Sequence, residues 1–386
     1  MKDKIAIDVT RLVGRLLDGK LPTGVDRVSL AYLQYFSGRA RAVLRWSGRH
    51  YVLSLPASTQ LFNWLLAGEK PARMFLQLIR AVIAGWSERD IVDYWLINTG
   101  HSGLELPDYA EQLQTLGVKP ILMVHDLIPL THPEYNRPNE DHKHRQRMLQ
   151  AIKTGGLLLC NSADTEQALL AFAAQQQLAA PATLVTHLGV GMPAVSMHTA
   201  PATTPYFVML GTIEPRKNHL LLLNIWRDLV DAGYPQIPQL LVIGQRGWEC
   251  EQIIDMFERC QQLRGRVVEI ADCSDQQLID YIRHARALLF PSFVEGFGLP
   301  LIEALQLGVP VIASQLPVFS EIAQDIPDYL SPLDGIGWRQ AILDYTDADH
   351  PRRQQQINRL TGYQVPTWQA HFALLQQHLD QHGDAT

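Results

Sequence analysis

Two glutamates eight positions apart, Glu295 and Glu303, bracket the stretch Gly296-Phe297-Gly298-Leu299-Pro300-Leu301-Ile302. An apolar run ending at Phe290 precedes them, and Pro300 suits the first turn of a helix. A strand that opens through glycines into a helix N-terminus aims unpaired backbone N–H groups outward, and an anion is the natural ligand of such a row. Glu303, one turn into that helix, is placed to accept hydrogen bonds from a ribose diol. Glu295, just ahead of it, lies close to any group attached to the phosphate. The spacing by itself carries nothing, because 15 glutamates in 386 residues produce such pairs by chance. The glycines, the proline and the preceding strand carry the inference.

A second loop supplies positive charge. After the apolar run 206–210 come Gly211-Thr212-Ile213-Glu214-Pro215-Arg216-Lys217-Asn218-His219, and a helical pattern follows. Gly211 permits a tight turn, and Arg216 and Lys217 deliver two cations at a helix start, a combination suited to a diphosphate. The same residues also fit a solvated helix start with two ordinary surface cations. In the first half, His125-Asp126 follows the apolar run 119–124. A histidine there either points out of the strand end into a cleft or is a core residue bonded to backbone. Thr23-Gly24-Val25-Asp26-Arg27 precedes a helix reaching about Phe36. Gly24 admits close backbone approach to a ligand, or the segment is a plain helix start capped by Thr23 or Asp26. Ser162, after the strand 157–160, reads as a cap. His142 and His144 are two apart, which does not put them on one helix face, and no carboxylate cluster accompanies them, so no metal site is expected.

These loops need strands to hold them. Short apolar runs alternate with amphipathic stretches along the chain, which predicts α/β organisation with parallel sheets. The predicted strands are 4–9, 94–98, 119–124, 157–160 and 183–187, then 206–210, 239–243, 266–270, 287–290 and 309–313. Each half makes a doubly wound, Rossmann-like sheet, whose ligands sit beyond the carboxyl ends of its strands. Residues 192–205 contain three prolines and no charged side chain and read as a linker. The expected division is an N-terminal domain 1–191, the linker 192–205, a C-terminal domain 206–364, and a last amphipathic helix within 365–386 that crosses back to the first domain. After Ala313 the pattern reads as helical to the end.

Composition excludes disorder: 47% of residues are hydrophobic and 19% charged. The net charge of −6 hides an asymmetry. The first ninety residues carry 14 Lys and Arg against 7 Asp and Glu, and the residues after Gly191 carry 13 against 22. Arg39, Arg41, Arg45 and Arg49 interleave with Trp46 and Tyr51, followed by Leu61-Phe62-Asn63-Trp64-Leu65-Leu66 and by Phe75, Leu76, Ile79 and Ile83 on one helical face. Such a tract suits contact with anionic lipid head groups, or amphipathic helices packed on the sheet. No apolar run approaches the ~20 residues of a membrane span. The N-terminus lacks a secretory signal pattern, and four cysteines without a CxxC pair suit a reducing compartment, so a cytoplasmic location is expected.

Glu295 to Glu303, within Ser292-Phe293-Val294-Glu295-Gly296-Phe297-Gly298-Leu299-Pro300, resembles the E-x7-E signature of retaining GT-B glycosyltransferases of family four. Gly308 to Ala313, Glu321-Ile322 and Gly211 to Asn218 extend the resemblance over the second half, and the His125-Asp126 and Thr23-Gly24 segments carry it into the first. The resemblance implies a GT-B architecture, with two doubly wound domains facing across a cleft. It implies that Glu295 contacts hydroxyls of the transferred sugar, that Glu303 holds the ribose, and that Arg216 and Lys217 hold the diphosphate. Gly211, Thr212, Gly296, Phe297, Gly298, Leu299 and, from the opposite wall, Gly24 would line the donor. His125 would touch donor sugar or acceptor, with Asp126 and Arg27 on the acceptor side. One departure stands out: many relatives have Arg where this chain has Thr212, and Arg216 would supply that phosphate contact.

The implied reaction is metal-independent transfer, with retention, from a nucleotide sugar to a glycan hydroxyl, with no cofactor beyond the donor and no nucleic acid. GDP-mannose and dTDP-rhamnose are the favoured donors and UDP-glucose the next. The acceptor that the resemblance implies is a lipid-linked oligosaccharide of surface polysaccharide or O-antigen assembly, which would be met at the inner face of the cytoplasmic membrane. Two other functions share this architecture: a nucleotide-sugar 2-epimerase, and a non-catalytic protein that binds a nucleotide sugar or polysaccharide.

Overall fold

A computed structural model of the chain describes residues 4–46, 48–70, 91–191 and 204–383. The predicted linker 192–205 lies outside the described residues except for Thr204 and Pro205, and so does the face formed by Phe75, Leu76, Ile79 and Ile83. The chain divides into two compact units. One comprises Met1–Leu188 together with Trp368–Thr386, and the other Gly189–Thr367.

The first unit is built on seven strands: β1 (Ile5–Asp8), β2 (Ala40–Trp46), β3 (Arg49–Val52), β4 (Trp95–Asn98), β5 (Lys119–Val124), β6 (Leu157–Cys160) and β7 (Ala182–Val185), in the order β3-β2-β1-β4-β5-β6-β7. All neighbours run parallel except the β2–β3 hairpin, where Val43 faces Val52 and Trp46 faces Arg49. Central strands such as β5 are buried almost end to end, as parallel strands covered on both faces must be. The second unit carries β8 (Tyr206–Leu210), β9 (Gln239–Ile243), β10 (Val267–Ile270), β11 (Leu288–Phe290), β12 (Val311–Ser314) and β13 (Asp328–Leu330) in an all-parallel sheet of order β10-β9-β8-β11-β12-β13. In each sheet the order reverses between two adjacent strands, β1 and β4 in one and β8 and β11 in the other. Loops diverge at such points and leave a crevice.

Two expectations are corrected. Arg41, Arg45 and Tyr51 lie on the β2–β3 hairpin and not on a helix. The i, i+4 spacing of Arg41, Arg45 and Arg49 imitates helical periodicity, while Ala42, Val43 and Leu44 between them are buried. Arg41 gives its Nε–H to the Leu53 carbonyl at 2.9 Å, and Arg45 reaches Ser102 and Glu105, so both cations are used within the unit. Leu61, Phe62 and Leu65 on the helix Leu55–Ala67 are core residues. The region after Ala313 is likewise not all helical, for the three residues of β13 complete the sheet, too few to leave a periodic signal.

The last helix spans Trp368–Gly383 and packs on the first unit. Phe372, Leu375 and Leu379 are buried, the Phe372 ring stacks on Tyr35 at 4.0 Å, and His371 meets the Tyr32 hydroxyl at 2.7 Å. Among the described residues no helix is long and apolar enough to cross a membrane.

Asp8, at the carboxyl end of β1, is a buried carboxylate. Its Oδ1 accepts the Thr10 N–H at 2.8 Å and its Oδ2 has no partner among the described residues. Burial raises its pKa from 3.8 to about 6, against the pull of Thr10 and Arg45. A raised carboxyl pKa contributes stability that is complete below 3.8 and lost as pH climbs through 6. Asp8→Asn is therefore expected to be more stable than wild type by about 1–3 kcal/mol at pH 7–8, with the difference gone by about pH 4. Paired denaturant titrations across that range measure it. The difference is the quantity to follow, because buried histidines such as His50 and His219, with lowered pKa values, make both proteins less stable in acid. A constant offset at all pH values would contradict the assignment.

Candidate active site

In the second unit the crevice between β8 and β11 gathers the residues singled out from the sequence. The chain leaves β8 through Gly211 at φ +141°, a backbone conformation that residues with a Cβ rarely adopt, and the Lys217 stem runs alongside this turn. Pro215–Lys217 forms one 3-10 turn, Asn218 takes a left-handed conformation, and the helix His219–Asp231 begins after it. The Asn218 side-chain amide donates to the carbonyls of Pro291 at 3.2 Å and Pro332 at 2.9 Å, which ties this loop to those after β11 and β13. The Phe293 N–H adds a bond to the Arg216 carbonyl at 2.8 Å.

Glu295 is the centre of the arrangement. Lys217 Nζ donates to its Oε1 at 2.5 Å, Arg216 Nη1 to its Oε2 at 2.7 Å, and Ser292 Oγ to Oε1 at 2.7 Å. Glu214 sits against Arg216 Nε on the other side. Burial alone would raise the Glu295 carboxyl, but the two cations and the hydrogen bonds from Lys217 and Ser292 outweigh it and hold the pKa at about 2. The carboxylate is thus ionised at any working pH. Lys217 is buried and Arg216 largely so, which removes the alternative of two ordinary surface cations. Thr212 is exposed on the loop just after Gly211.

The helix Leu299–Gln306 starts directly after Gly298, whose φ is +109°. A Cβ there would also stand 2.8 Å from the Phe319 ring, so only glycine fits both the backbone and the packing. Phe297 is buried and Gly296 partly so. Glu303 is 2% exposed, one turn into the helix. A helix N-terminus, a buried ammonium and a guanidinium thus share the end of one sheet, which suits stabilisation of a diphosphate.

In the first unit His125 and Asp126 follow β5. His125 donates Nε2–H to the Thr99 carbonyl at 2.7 Å, and burial lowers its pKa, so it is neutral at pH 7. Asp126 Oδ1 accepts the Ile128 N–H at 3.0 Å, which holds the loop. Both line a cavity of about 330 Å³ with Arg11, His101, Glu105 and His144. Gly24 and Arg27 are not among its lining residues. Gly24 opens the helix Gly24–Phe36 and is exposed, and Arg27 is partly buried on the same helix. The start of that helix is closed by Thr23, whose N–H and hydroxyl both donate to Asp26, and Asp26 is buried between Arg11 and Arg15.

Residues 196–326 match the family described as glycosyl transferases group 1. The chain is also 31% identical over 286 residues to the serotype-specific mannosyltransferase WbdA of Escherichia coli, a match covering 69% of this chain and 35% of that protein. The chain belongs to the glycosyl transferases group 1 family. It spans about a third of the length of the WbdA relatives it matches. A second E. coli relative, O-antigen chain mannosyltransferase B, is 35% identical over 129 residues, 33% of each chain. Among solved structures, Anabaena HepE in complex with UDP-glucose superposes with a TM-score of 0.67 at 16% identity, over 98% of this chain and 99% of that one. The two sheets are those of the GT-B fold.

Sequence reasoning on this glycosyl transferases group 1 member passed over Ser292, Glu214 and Asn218, although all three sit inside the motifs it singled out. Ser292 holds Glu295, Glu214 holds Arg216 and Asn218 ties their loop to its neighbours, and a polar residue beside a charged motif residue is the signal that marks them. His101 left no signal of its own. His144 was weighed only as a metal ligand, and among the described residues no three His, Cys, Asp or Glu side chains are grouped to hold an ion.

Proposed function

We propose that the chain is a retaining glycosyltransferase that moves a hexose from a nucleoside diphosphate to a glycan hydroxyl, with mannose the first choice of sugar and rhamnose and glucose after it. The observation that carries this is the convergence of Arg216 and Lys217 on Glu295 beside the helix N-terminus at Leu299, with Glu303 buried one turn in. The mannosyltransferase relatives support mannose and an O-antigen type of acceptor, and a lipid-linked oligosaccharide would bring the chain to an anionic membrane face.

In this reaction the bond between the sugar's C1 and the phosphate oxygen breaks, and C1 bonds the acceptor oxygen on the same face. The acceptor's proton passes to a departing diphosphate oxygen. Charge building on that diphosphate is the main obstacle, and preorganised donors are the most effective answer to it. Lys217 has three N–H donors and gives one to Glu295 Oε1, and the helix N–H groups act alongside it without a metal. Glu295, fixed by both cations, is held rigid to meet sugar hydroxyls.

The direct test is product analysis. GDP-mannose and a mannosylated acceptor should yield an α-linked glycoside with acceptor-dependent release of GDP, seen by NMR. An isomerised nucleotide sugar formed without acceptor, or no turnover with any of the three donors, would overturn the proposal. Glu303→Ala is expected to weaken GDP binding about ten- to a hundredfold, the range for a lost hydrogen bond to a charged group, with turnover at saturating donor changed far less. Calorimetric titration of GDP into Glu303→Ala and the isosteric Glu303→Gln measures this. Equal, wild-type affinity in both would remove Glu303 from the donor site.

A further inference from the structure

His101 and His144 stand beside His125 on the wall of the 330 Å³ cavity in the first unit, and nothing in the proposed reaction uses them. Their ring centroids lie 5.2 Å (His101–His125) and 6.0 Å (His101–His144) apart. Each ring meets a backbone carbonyl through Nε2: His101 with Met123 at 2.7 Å, His125 with Thr99 at 2.7 Å and His144 with Asp126 at 3.0 Å. A carbonyl only accepts, so each Nε2 carries the hydrogen and each Nδ1 of a neutral ring is left as an acceptor. None of the three Nδ1 atoms has a protein partner among the described residues, and none is sealed from solvent, although His125 is 8% and His144 4% exposed.

The charges around this cavity are balanced. Arg11 is bound to Asp26 at 2.8 Å and Arg147 to Glu140 at 3.0 Å, while Glu105 and Asp126 add carboxylates to the wall. Three lone pairs disfavour an anion, and the two guanidinium groups disfavour a cation. The complement is a neutral molecule rich in O–H donors. The volume is that of about ten liquid waters, enough for a single pyranose ring.

We propose that His101 and His144 join His125 in gripping one hexose ring, each accepting a hydroxyl hydrogen bond at Nδ1. This rests on the glycosyltransferase reading, to which it adds two residues that recognise the sugar. The ring belongs either to the acceptor or to the donor, and the two arms of the test separate these sources.

In the first measurement, protein labelled with ¹⁵N-histidine is titrated with methyl α-mannopyranoside in one arm and GDP-mannose in the other. A saturable shift of the His101 and His144 Nδ1 signals with the free glycoside supports the pocket and assigns the ring to the acceptor. A shift only with GDP-mannose supports it and assigns the ring to the donor. No shift in either arm overturns it. The second measurement uses His101→Gln and His144→Gln, since the glutamine amide keeps a donor near the Nε2 position and removes the Nδ1 acceptor. KM for the substrate that moved the signals should rise about tenfold while KM for the other stays. Unchanged values for both substrates, or an equal rise in both, overturn the proposal. Should His144→Gln fail to fold, His101→Gln carries the test. Sugar-induced shifts in a chain that transfers nothing would sink the transferase reading and leave the pocket standing, and transfer without any shift would sink the pocket alone.

Discussion

Lys217→Ala is expected to lower kcat/KM for the nucleotide sugar by about two to three orders of magnitude, the usual cost of removing one preorganised donor from developing negative charge. The lysine is buried, its ammonium lies 5.1 Å from the Phe290 ring centroid, and it is held by Glu295, so no water easily takes its place. Because the diphosphate is charged before and after the bond breaks, donor affinity and turnover should fall together. A rival cause must be separated. Removing one member of a buried ion pair leaves the other uncompensated, which costs about 3–5 kcal/mol, although Arg216 and Ser292 still hold Glu295. The double variant Lys217→Ala/Glu295→Gln should recover much of that stability without recovering turnover. Recovered turnover would show that Lys217 serves only to neutralise Glu295, and wild-type turnover in the single variant would remove it from the site.

The largest effect on stability is expected from ending the chain at Thr367. That removes the helix Trp368–Gly383 from the first unit and with it the buried side chains of Phe372, Leu375 and Leu379. Burial of three such side chains is worth about 5–9 kcal/mol, which rivals the whole stability of a typical domain. Their loss also uncovers Tyr32 and Phe36, which are fully buried in the intact unit. The shortened chain should lose cooperative unfolding of the first unit, followed by circular dichroism and by proteolysis. Leu375→Ala is a milder probe, expected to cost about 2–5 kcal/mol as a core truncation. An unchanged melting transition in both would show that the helix is a passive appendage.

How far the sequence carries depends on the range of the interactions concerned. The strands β4 to β6, β8, β9, β11 and β12 were legible, because strands buried on both faces are continuous apolar runs, and the half-exposed edge strand β10 through its Val267, Val268 and Ile270. The hairpin β2–β3 was not, since its arginines recur at helical spacing and only pairing across the turn shows which face is covered. The loop from Glu295 to Glu303 was legible as a unit, because Gly298 and Pro300 act on backbone conformation within a few residues.

The composition and order of residues by themselves determined an α/β chain with two sheets and the motif residues of one proposed anion site. Tertiary structure alone decided how those residues are used. Lys217 and Glu295 are 78 positions apart and meet only because the sheet order sets β8 beside β11. His101 and His144 come to His125 in the same way, through the placing of β4 beside β5 and of the helix Glu140–Lys153 over their ends. The physical reason is one of range: backbone preferences and apolar periodicity act over a few residues and can be read in order along the chain. Ion pairs, ring contacts and the balance of burial against charge depend on distances in space, which the sheet topology fixes.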